Sequence, residues 1–270
     1  MKLLRLIALL LLTCCSEGQW RFKESNDYFD AVNDDKEFTQ GLEVSHETES
    51  EFNSVGQNIW TPDHKHLFPA PPQERPYAGM LYARHDERRP WFENTKYLYG
   101  AELGLLGPAS GGEVSQCDVH TLLGQKCPAG WPDQLHNEIG LTLRTGFIHT
   151  QPAEFWLFPD GTNKNTVTIE VGNFYDALHF ETEVRSGEKL FYYFAGPKLN
   201  LVALDITLYC NTFTDSASVN KKWYTSQLNI GIGTHFGRWN IEWAIAVISP
   251  EFDGAGQSYN FGVVTISWKN

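Results

Sequence analysis

Apolar and polar residues alternate with a period of two along most of the chain. Residues 167–171 place all of their aliphatic side chains on one face. Residues 138–147 and 238–247 alternate in the same way, with aliphatic and aromatic residues opposite charged ones. A soluble sandwich or small barrel also alternates, but it would then bury charges such as Arg185 and Glu242 in its core. Strands of about ten residues with one apolar and one charged face favour a membrane β-barrel.

Loop lengths assign the two ends of this barrel. Outer-membrane barrels have short turns at the periplasmic end and longer loops outside. Residues 186–188 and 235–237 are tight turns, whereas residues 211–220 and 249–257 are longer and polar. Counting strands from these connections places residues 107–136 outside as well. The pattern predicts an all-β fold, a barrel of about twelve antiparallel strands.

Two assignments complete this strand count. Residues 50–60 must form a strand that rises to the outer side, and residues 189–212 must form a single long strand. Cys210 then lies on the apolar face of that long strand, where a cysteine simply packs. With this topology, six polar residues that are distant in sequence meet at the outer rim: Asn26, Asp27, Thr39, Arg75, Gln116 and His120.

The long extracellular loop predicts a short helix. Ser110 followed three residues later by Glu113 matches a capping box, which opens a helix over residues 111–123. Gln116 and His120 are four residues apart, so they share one face of this helix. A single histidine is more often structural than catalytic, so the case for His120 depends on its neighbours.

The beginning of the chain predicts a cleaved secretory signal. Two basic residues precede a run of leucines that is too short to span a bilayer, and small residues follow it. We therefore assign residues 1–18 to the signal peptide and residues 19–270 to one transmembrane barrel domain. The alternative is a lipid anchor on Cys14 or Cys15.

Export also bears on the cysteines that remain in the mature chain. An exported protein folds in an oxidising compartment, where disulfides persist. Cys117 and Cys127 flank the same short segment of the loop, so we predict a disulfide between them. The alternative is a pair of free, buried thiols.

Charge and motif searches narrow the class of function. The formal net charge of −12 argues against nucleic acid as a partner, because nucleic-acid binding requires a basic surface. An acidic chain is compatible with divalent cations, which prefer oxygen ligands. The chain has neither the His and Cys spacing of a zinc site nor a serine in a G-x-S-x-G setting.

Six stretches of the chain match one family when they are taken together. They are NDYFD…DKEFTQG (26–41), RPYAG (75–79), GAELGLLGPAS (100–110), QCDVH (116–120), GWPDQLHNE (130–138) and GNFYDALHFETEVRSG (172–187). In this order and combination they resemble the outer-membrane lipid A 3′-O-deacylase family (LpxR). The resemblance runs through most of the mature chain.

The resemblance implies a twelve-stranded barrel in the outer membrane of a Gram-negative bacterium, with the active site facing the outer leaflet. The reaction it implies is calcium-dependent hydrolysis of the ester that holds the 3′-acyloxyacyl chain on lipid A of lipopolysaccharide. We expect a monomer that contacts outer-membrane lipid and no nucleic acid. Carried over by position, the resemblance assigns calcium binding to Asn26 and Asp27, near Thr39, the general base to His120, and the substrate pocket to Gln116 and Arg75.

These residue types suit ester hydrolysis by water. The reaction needs a base that is active near neutral pH, and the unperturbed pKa of histidine is about 6.5. It also needs positive charge where the carbonyl oxygen becomes anionic. A calcium ion held by Asn and Asp oxygens can supply that charge, as can Arg75.

The chain departs from the family pattern at several places, including residues 38–41, where Phe-Thr-Gln-Gly replaces the common Tyr-Thr-Asn-Gly. Glu74 stands where a basic residue often precedes the RPYAG arginine, and Lys126 lies where an acidic residue often supports the metal site. Glu138 is the substitute metal ligand, or else a structural charge facing the lumen. These departures leave two alternatives open: an outer-membrane esterase of the phospholipase type, or a non-catalytic barrel with a structural or adhesive role.

Overall fold

The computed structural model describes residues 17–29, 37–187 and 190–270. Most of the predicted signal peptide, including Cys14 and Cys15, lies outside these residues. The described residues form a closed barrel of twelve antiparallel strands, which confirms the predicted fold class. No helix in this part of the chain has the length and apolar character needed to cross a bilayer.

The strands follow one another around the barrel in chain order, and β1 closes it against β12. Among the described residues, two α-helices lie in connections between strands: α1 (Gly112–Leu122) and the short α2 (Ile206–Tyr209). The strands are β1 (Gln19–Asn26), β2 (Glu37–Glu47), β3 (Glu51–Thr61), β4 (Ala78–Phe92), β5 (Thr95–Leu106), β6 (Glu138–Phe155), β7 (Phe158–Gly172), β8 (Tyr175–Arg185), β9 (Phe191–Asp205), β10 (Tyr224–Phe236), β11 (Trp239–Ile248) and β12 (Tyr259–Lys269).

The outer surface of the barrel is apolar, as the alternation predicts. In β6, Ile139 and Leu143 are 70% and 57% exposed, whereas Thr142 between them is buried. Trp239 and Trp268 pack together on the outer surface, as part of an aromatic band at one end of the barrel. Such bands mark the membrane interfaces of outer-membrane barrels.

The lumen holds many of the charged residues, and several of them form ion pairs. Arg185 donates to Glu242 at 2.6 Å. Arg144 lies 3.3 Å from Asp86 and also pairs with Glu170. A buried charge is tolerated when it has such partners. The charged faces predicted from the sequence therefore line the interior of the barrel.

The connections differ between the two ends of the barrel. At one end, here called the turn end, two-residue turns at 93–94, 156–157 and 237–238 join the strands. The opposite end, here called the loop end, carries the longer connections, which are residues 62–77, 107–137, 206–223 and 249–258. The predicted strand over residues 50–60 is confirmed as β3.

The prediction of one long strand over residues 189–212 is wrong at its C-terminal part. Strand β9 ends at Asp205, whose Oδ1 accepts hydrogen bonds from the Thr207 amide at 2.9 Å and its hydroxyl at 2.7 Å. An Asp side chain that bonds the backbone in this way competes with the strand ladder and starts helix α2 instead. Cys210 follows that helix with a φ of 126° and is half-buried, so it does not occupy the predicted strand face.

Candidate active site

Helix α1 lies against the lipid-facing side of the barrel wall rather than over the lumen. Side chains alternate along a strand, so Asn26 shares a face with the exposed Phe22. Asn26 pairs with Gln40, and Gln40 pairs with Ile59 in the next strand, which places all three on that outer face. Ile59 is nevertheless fully buried, because Tyr77 and Trp131 pack on it. The loop that contains α1 therefore covers the outside of the wall at the loop end.

Two glycines allow the helix to approach the wall closely. A Cβ atom at Gly79 of β4 would collide with the Ser110 hydroxyl and lie 2.9 Å from Gly112 Cα. Nearby, the Gln57 side chain donates a hydrogen bond to the Ser110 carbonyl at 2.7 Å. The start of α1 is thus fixed to β3 and β4 by direct backbone contact.

The capping box predicted from Ser110 and Glu113 is wrong, although the helix itself is present. Gly111 is the N-cap residue, with a φ of 77°, and no side chain caps the helix. The Ser110 hydroxyl donates instead to the Gly107 carbonyl at 2.6 Å, within a 3-10 turn over Pro108–Ser110. Only glycine adopts such a left-handed conformation at low cost, so Gly111 provides the helix start.

A cavity of about 250 Å³ lies between α1 and the loop ends of β1 and β2. Five of the seven predicted site residues line it: Asn26, Asp27, Thr39, Gln116 and His120. The lining also includes polar Glu24, Gln40 and Gln125 and apolar Tyr28, Phe29, Val119 and Leu123. We call this space the α1 cavity.

The hydrogen bond of His120 determines which ring nitrogen can act as a base. Its Nδ1 lies 2.8 Å from the Lys126 carbonyl oxygen, and the side chain is 8% exposed. A carbonyl oxygen only accepts hydrogen bonds, so Nδ1 carries the proton in this contact. In the neutral ring Nε2 is then unprotonated and can accept a proton from a reactant.

Gln116 presents an uncommitted donor one turn before His120. Its Oε1 accepts a hydrogen bond from the Trp131 indole at 2.8 Å, and the side chain is 2% exposed. Its buried Nε2 has no hydrogen-bond partner among the described residues. A buried amide donor without a partner is costly, so a ligand that accepts from it would bind favourably.

Asp27 is a buried carboxylate, and one of its two oxygens has no hydrogen-bond partner among the described residues. The residue is 6% exposed, and the oxygen in question is Oδ2. Burial raises the pKa of Asp27 to about 6, although the positive charge of Lys65 works in the opposite direction. The Asn26 Oδ1 accepts a hydrogen bond from the Tyr28 amide at 2.8 Å. This contact fixes the turn that contains Asp27.

The residues of the α1 cavity suit calcium better than a transition metal. The described residues contain no group of three or more His, Cys, Asp or Glu side chains arranged to hold a metal ion. Asp27, Asn26 and Thr39 instead line one cavity with carboxylate, amide and hydroxyl groups, and Asp27 Oδ2 has no hydrogen-bond partner among the described residues. Calcium takes such mixed oxygen ligands and completes its shell with carbonyls and water.

Thr39 is held in place from the neighbouring strand. Its hydroxyl lies 2.7 Å from the hydroxyl of Thr61, and both residues are nearly inaccessible to solvent. The pairing of β2 with β3 shifts by one residue at this point, between Phe38 and Gln40. This β-bulge turns Thr39 toward the α1 cavity, which a regular alternation of strand faces does not predict.

Arg75 lies elsewhere, in a buried cluster that joins several loops. Its guanidinium donates to Glu251 at 3.1 Å and to Thr207 at 3.2 Å, and Glu37 lies 3.7 Å away. It is 1% exposed and borders a different cavity, of about 380 Å³. The structure therefore does not bring Arg75 into the α1 cavity with His120.

Glu74 and Glu138, the two acidic residues discussed with the family pattern, have partners in the loops. Glu74 accepts a hydrogen bond from the His64 amide at 2.9 Å. Glu138 accepts from Thr212 at 2.8 Å, from Asn173 at 3.1 Å and from Asn211 at 3.2 Å. Glu138 does not line the α1 cavity, and its contacts fit the structural role that the sequence left open.

Some residues of the site were missed from the sequence. The Lys126 carbonyl orients His120, and Trp131 orients Gln116. No side-chain pattern reveals a backbone acceptor, although Trp131 belongs to the GWPDQLHNE stretch. The predicted disulfide between Cys117 and Cys127 is confirmed, with the two Cα atoms 4.7 Å apart.

Comparisons with known proteins were made for the sequence and for the fold. The family model described as "Outer membrane protein LpxR" matches residues 4–191 and 190–270. The solved structure of LpxR from Salmonella typhimurium is similar to this chain at a TM-score of 0.79 and 19% identity, covering 93% of this chain and 99% of that one. The translocator domain of the autotransporter NalP from Neisseria meningitidis aligns at a TM-score of 0.46 and 10% identity, over 99% of this chain and 94% of its own. No curated protein sequence matches.

Proposed function

The chain belongs to the LpxR family of outer-membrane proteins, and on that premise we propose that it is a lipid A deacylase of the outer membrane. The specific reaction is hydrolysis of the ester that carries the 3′-acyloxyacyl chain, by a water molecule that His120 activates, in the presence of calcium. The substrate is lipid A within lipopolysaccharide, and the active site faces the outer leaflet.

One observation carries this proposal. The α1 cavity, on the lipid-facing side of the wall, is lined by His120, whose Nδ1 is held by the Lys126 carbonyl. It is also lined by Gln116 and Asp27, whose Nε2 and Oδ2 have no hydrogen-bond partner among the described residues. A water-soluble substrate would be expected to use the lumen, whereas a membrane lipid arrives along the outer surface. The position of the cavity therefore supports a lipid substrate.

His120 is the general base of the proposed reaction. Its Nε2 removes a proton from water as the oxygen attacks the ester carbonyl, and the ring becomes an imidazolium. The Lys126 carbonyl accepts from Nδ1 throughout and stabilises the positive ring. In the second half of the reaction the same Nε2 returns the proton to the leaving alkoxide.

Asn26 and Asp27 are the residues that would hold calcium, with Thr39 beside them. A bound calcium ion supplies positive charge near the ester carbonyl. In this proposal Gln116 Nε2 donates a hydrogen bond to the oxygen that becomes negatively charged. Arg75 and Glu138, which lie outside the α1 cavity, have no part in this proposed chemistry and hold other segments at the loop end.

Mass spectrometry of lipid A tests the proposal directly. Cells that express the protein should contain lipid A lacking the 3′-acyloxyacyl group, and both a calcium chelator and His120→Ala should abolish that product. His66→Ala is the matched control, because His66 is an exposed histidine in the loop of residues 62–77. Lysophospholipid with intact lipid A would identify a phospholipase instead, and neither product would indicate a non-catalytic barrel.

A further inference from the structure

We propose that the Cys117–Cys127 disulfide is a positioning element that keeps His120 in its active tautomer. The inference rests on the proposed function of His120 as a base, but it concerns residues that this function does not itself require. It is argued from the way the disulfide closes the end of helix α1 around the ring.

The two cysteines bracket the histidine and its acceptor. Cys117 lies one helical turn before His120, and Cys127 directly follows Lys126, whose carbonyl holds Nδ1 at 2.8 Å. The disulfide therefore connects the helical turn that carries His120 to the peptide group that supplies the Lys126 carbonyl. The disulfide closes a loop over residues 117–127, and the hydrogen bond of His120 Nδ1 closes a smaller loop, residues 120–126, within it.

Few contacts restrain the segment that supplies the acceptor. Residues 121–127 are all exposed, with only Leu123 and Gln125 bordering the α1 cavity. Beyond the segment, the Ala129 amide donates to the Lys65 carbonyl at 3.0 Å. Backbone contacts assist locally, since the Gln125 amide donates to the His120 carbonyl at 2.7 Å and Gly124 allows a left-handed turn with a φ of 71°. An exposed segment with few contacts opens readily, whereas a cross-link restricts how far it can move.

The tautomer decides whether the proposed reaction is possible. If the Lys126 carbonyl moves away, Nδ1 loses its acceptor and the proton can reside on Nε2 instead. Nε2 would then present an N–H group to the α1 cavity and could not accept a proton from water. Because the acceptor is the backbone carbonyl of Lys126, the lysine side chain does not take part in fixing the tautomer.

The test compares Cys117→Ser/Cys127→Ser with Cys210→Ser, which removes a cysteine outside the disulfide. Purified protein in detergent micelles, labelled with ¹⁵N-histidine, reports the protonation of each ring nitrogen. The signal of His120 is identified by its loss in His120→Gln. Reduction of the folded wild-type barrel is a second route to the open disulfide, so a folding failure of the double variant does not block the experiment.

The expected result is a change in both spectrum and rate. In the oxidised protein His120 should show a protonated Nδ1 and an unprotonated Nε2, and opening the disulfide should mix the two tautomers. The kcat for lipid A deacylation should fall about tenfold or more while KM stays within about twofold, because a base contributes to the chemical step. Cys210→Ser should match wild type in both measurements.

Two results would overturn the inference. One is an unchanged His120 spectrum after the disulfide is opened, whatever happens to the rate. The other is a wild-type kcat in a protein whose tautomers have mixed. If the spectrum changes as expected but the oxidised protein never deacylates lipid A, the positioning role holds and the proposed function fails.

Discussion

Among the residues of the α1 cavity, Asp27 is the buried carboxylate that a bound cation would stabilise most directly. Its Oδ2 is buried without a hydrogen-bond partner among the described residues, and burial raises its pKa to about 6 against the opposing charge of Lys65. Asp27→Asn should raise the calcium concentration needed for half-maximal activity by about tenfold or more, because calcium affinity depends on ligand charge. Calcium titration of the deacylase reaction measures this.

The control for Asp27 is Asp118→Asn, which removes a carboxylate from the exposed face of α1. It should leave the calcium dependence as in wild type. A fall in activity of Asp27→Asn that no calcium concentration relieves would argue against a ligand role. Asn26→Ala should behave like a milder version of Asp27→Asn, with partial recovery on added calcium.

The side-chain oxygen and nitrogen of Gln116 have different surroundings, so their roles can be tested separately. Gln116→Glu keeps an oxygen for the Trp131 indole but replaces the unpartnered Nε2 donor with an acceptor. If that donor stabilises the developing oxyanion, kcat should fall about 10²- to 10³-fold. Trp131→Phe is the comparison, because it removes the indole partner and leaves the donor in place. Equal losses in the two variants would assign Gln116 a purely structural role.

At this scale the sequence predicted which residue types converge, but not which of them reach the cavity. Asn26, Asp27 and His120 follow from strand order and helical spacing. Arg75 was placed at the same rim, yet its side chain is drawn to Glu251, which is 176 positions away in the chain. The direction of a loop side chain depends on such distant partners, and no local pattern contains them.

Helix α1 is the element on which the site depends, and its contact with β4 can be tested. Gly79→Ala would place a Cβ against Gly112 and force the helix away from the wall. A displacement of about 1 Å misaligns His120, so kcat/KM should fall by about 10- to 100-fold. Heat-dependent electrophoretic mobility should show that the barrel still folds.

Gly140→Ala provides a matched comparison for Gly79→Ala. A Cβ at Gly140 also collides with a neighbour, the Phe174 ring, but on a part of the wall that does not border the α1 cavity. It should cost stability and leave kcat/KM close to wild type. If both alanine variants lose activity equally, the loss reflects general strain on the barrel rather than the position of α1.

Elements with a clear period were predicted well, and their ends were not. The alternation in β6 survives because lipid outside and polar residues inside impose it along the strand. Strand β3 was instead predicted from the strand count. The end of β9 depends on one side chain, since Asp205 bonds to Thr207 and interrupts a pattern that continues in the sequence. The start of α1 depends on the left-handed backbone of Gly111, whereas the sequence pattern of Ser110 and Glu113 predicted a side-chain cap.

The whole molecule separates two polar regions with an apolar wall. Paired charges such as Arg185 and Glu242 fill the lumen, whereas the α1 cavity lies on the other side of the wall, beneath the helix. Because β1 and β2 contribute their outward-facing residues to that cavity, lumen charges do not reach it directly. Substitutions in the lumen are therefore expected to change stability more than deacylation.

The last prediction concerns the orientation of the barrel in the membrane. A deacylase that acts on outer-leaflet lipid A must place its loop end outside the cell. Thr214 is exposed in the connection of residues 206–223 at the loop end, and Glu49 is exposed between β2 and β3 at the turn end. In a Cys210→Ser background, a membrane-impermeant maleimide on intact cells should label Thr214→Cys and leave Glu49→Cys unlabelled. Both should react once the outer membrane is permeabilised, which shows that each thiol is available. Labelling of Glu49→Cys alone on intact cells would place the α1 cavity at the periplasmic face, where outer-leaflet lipid A could not reach His120.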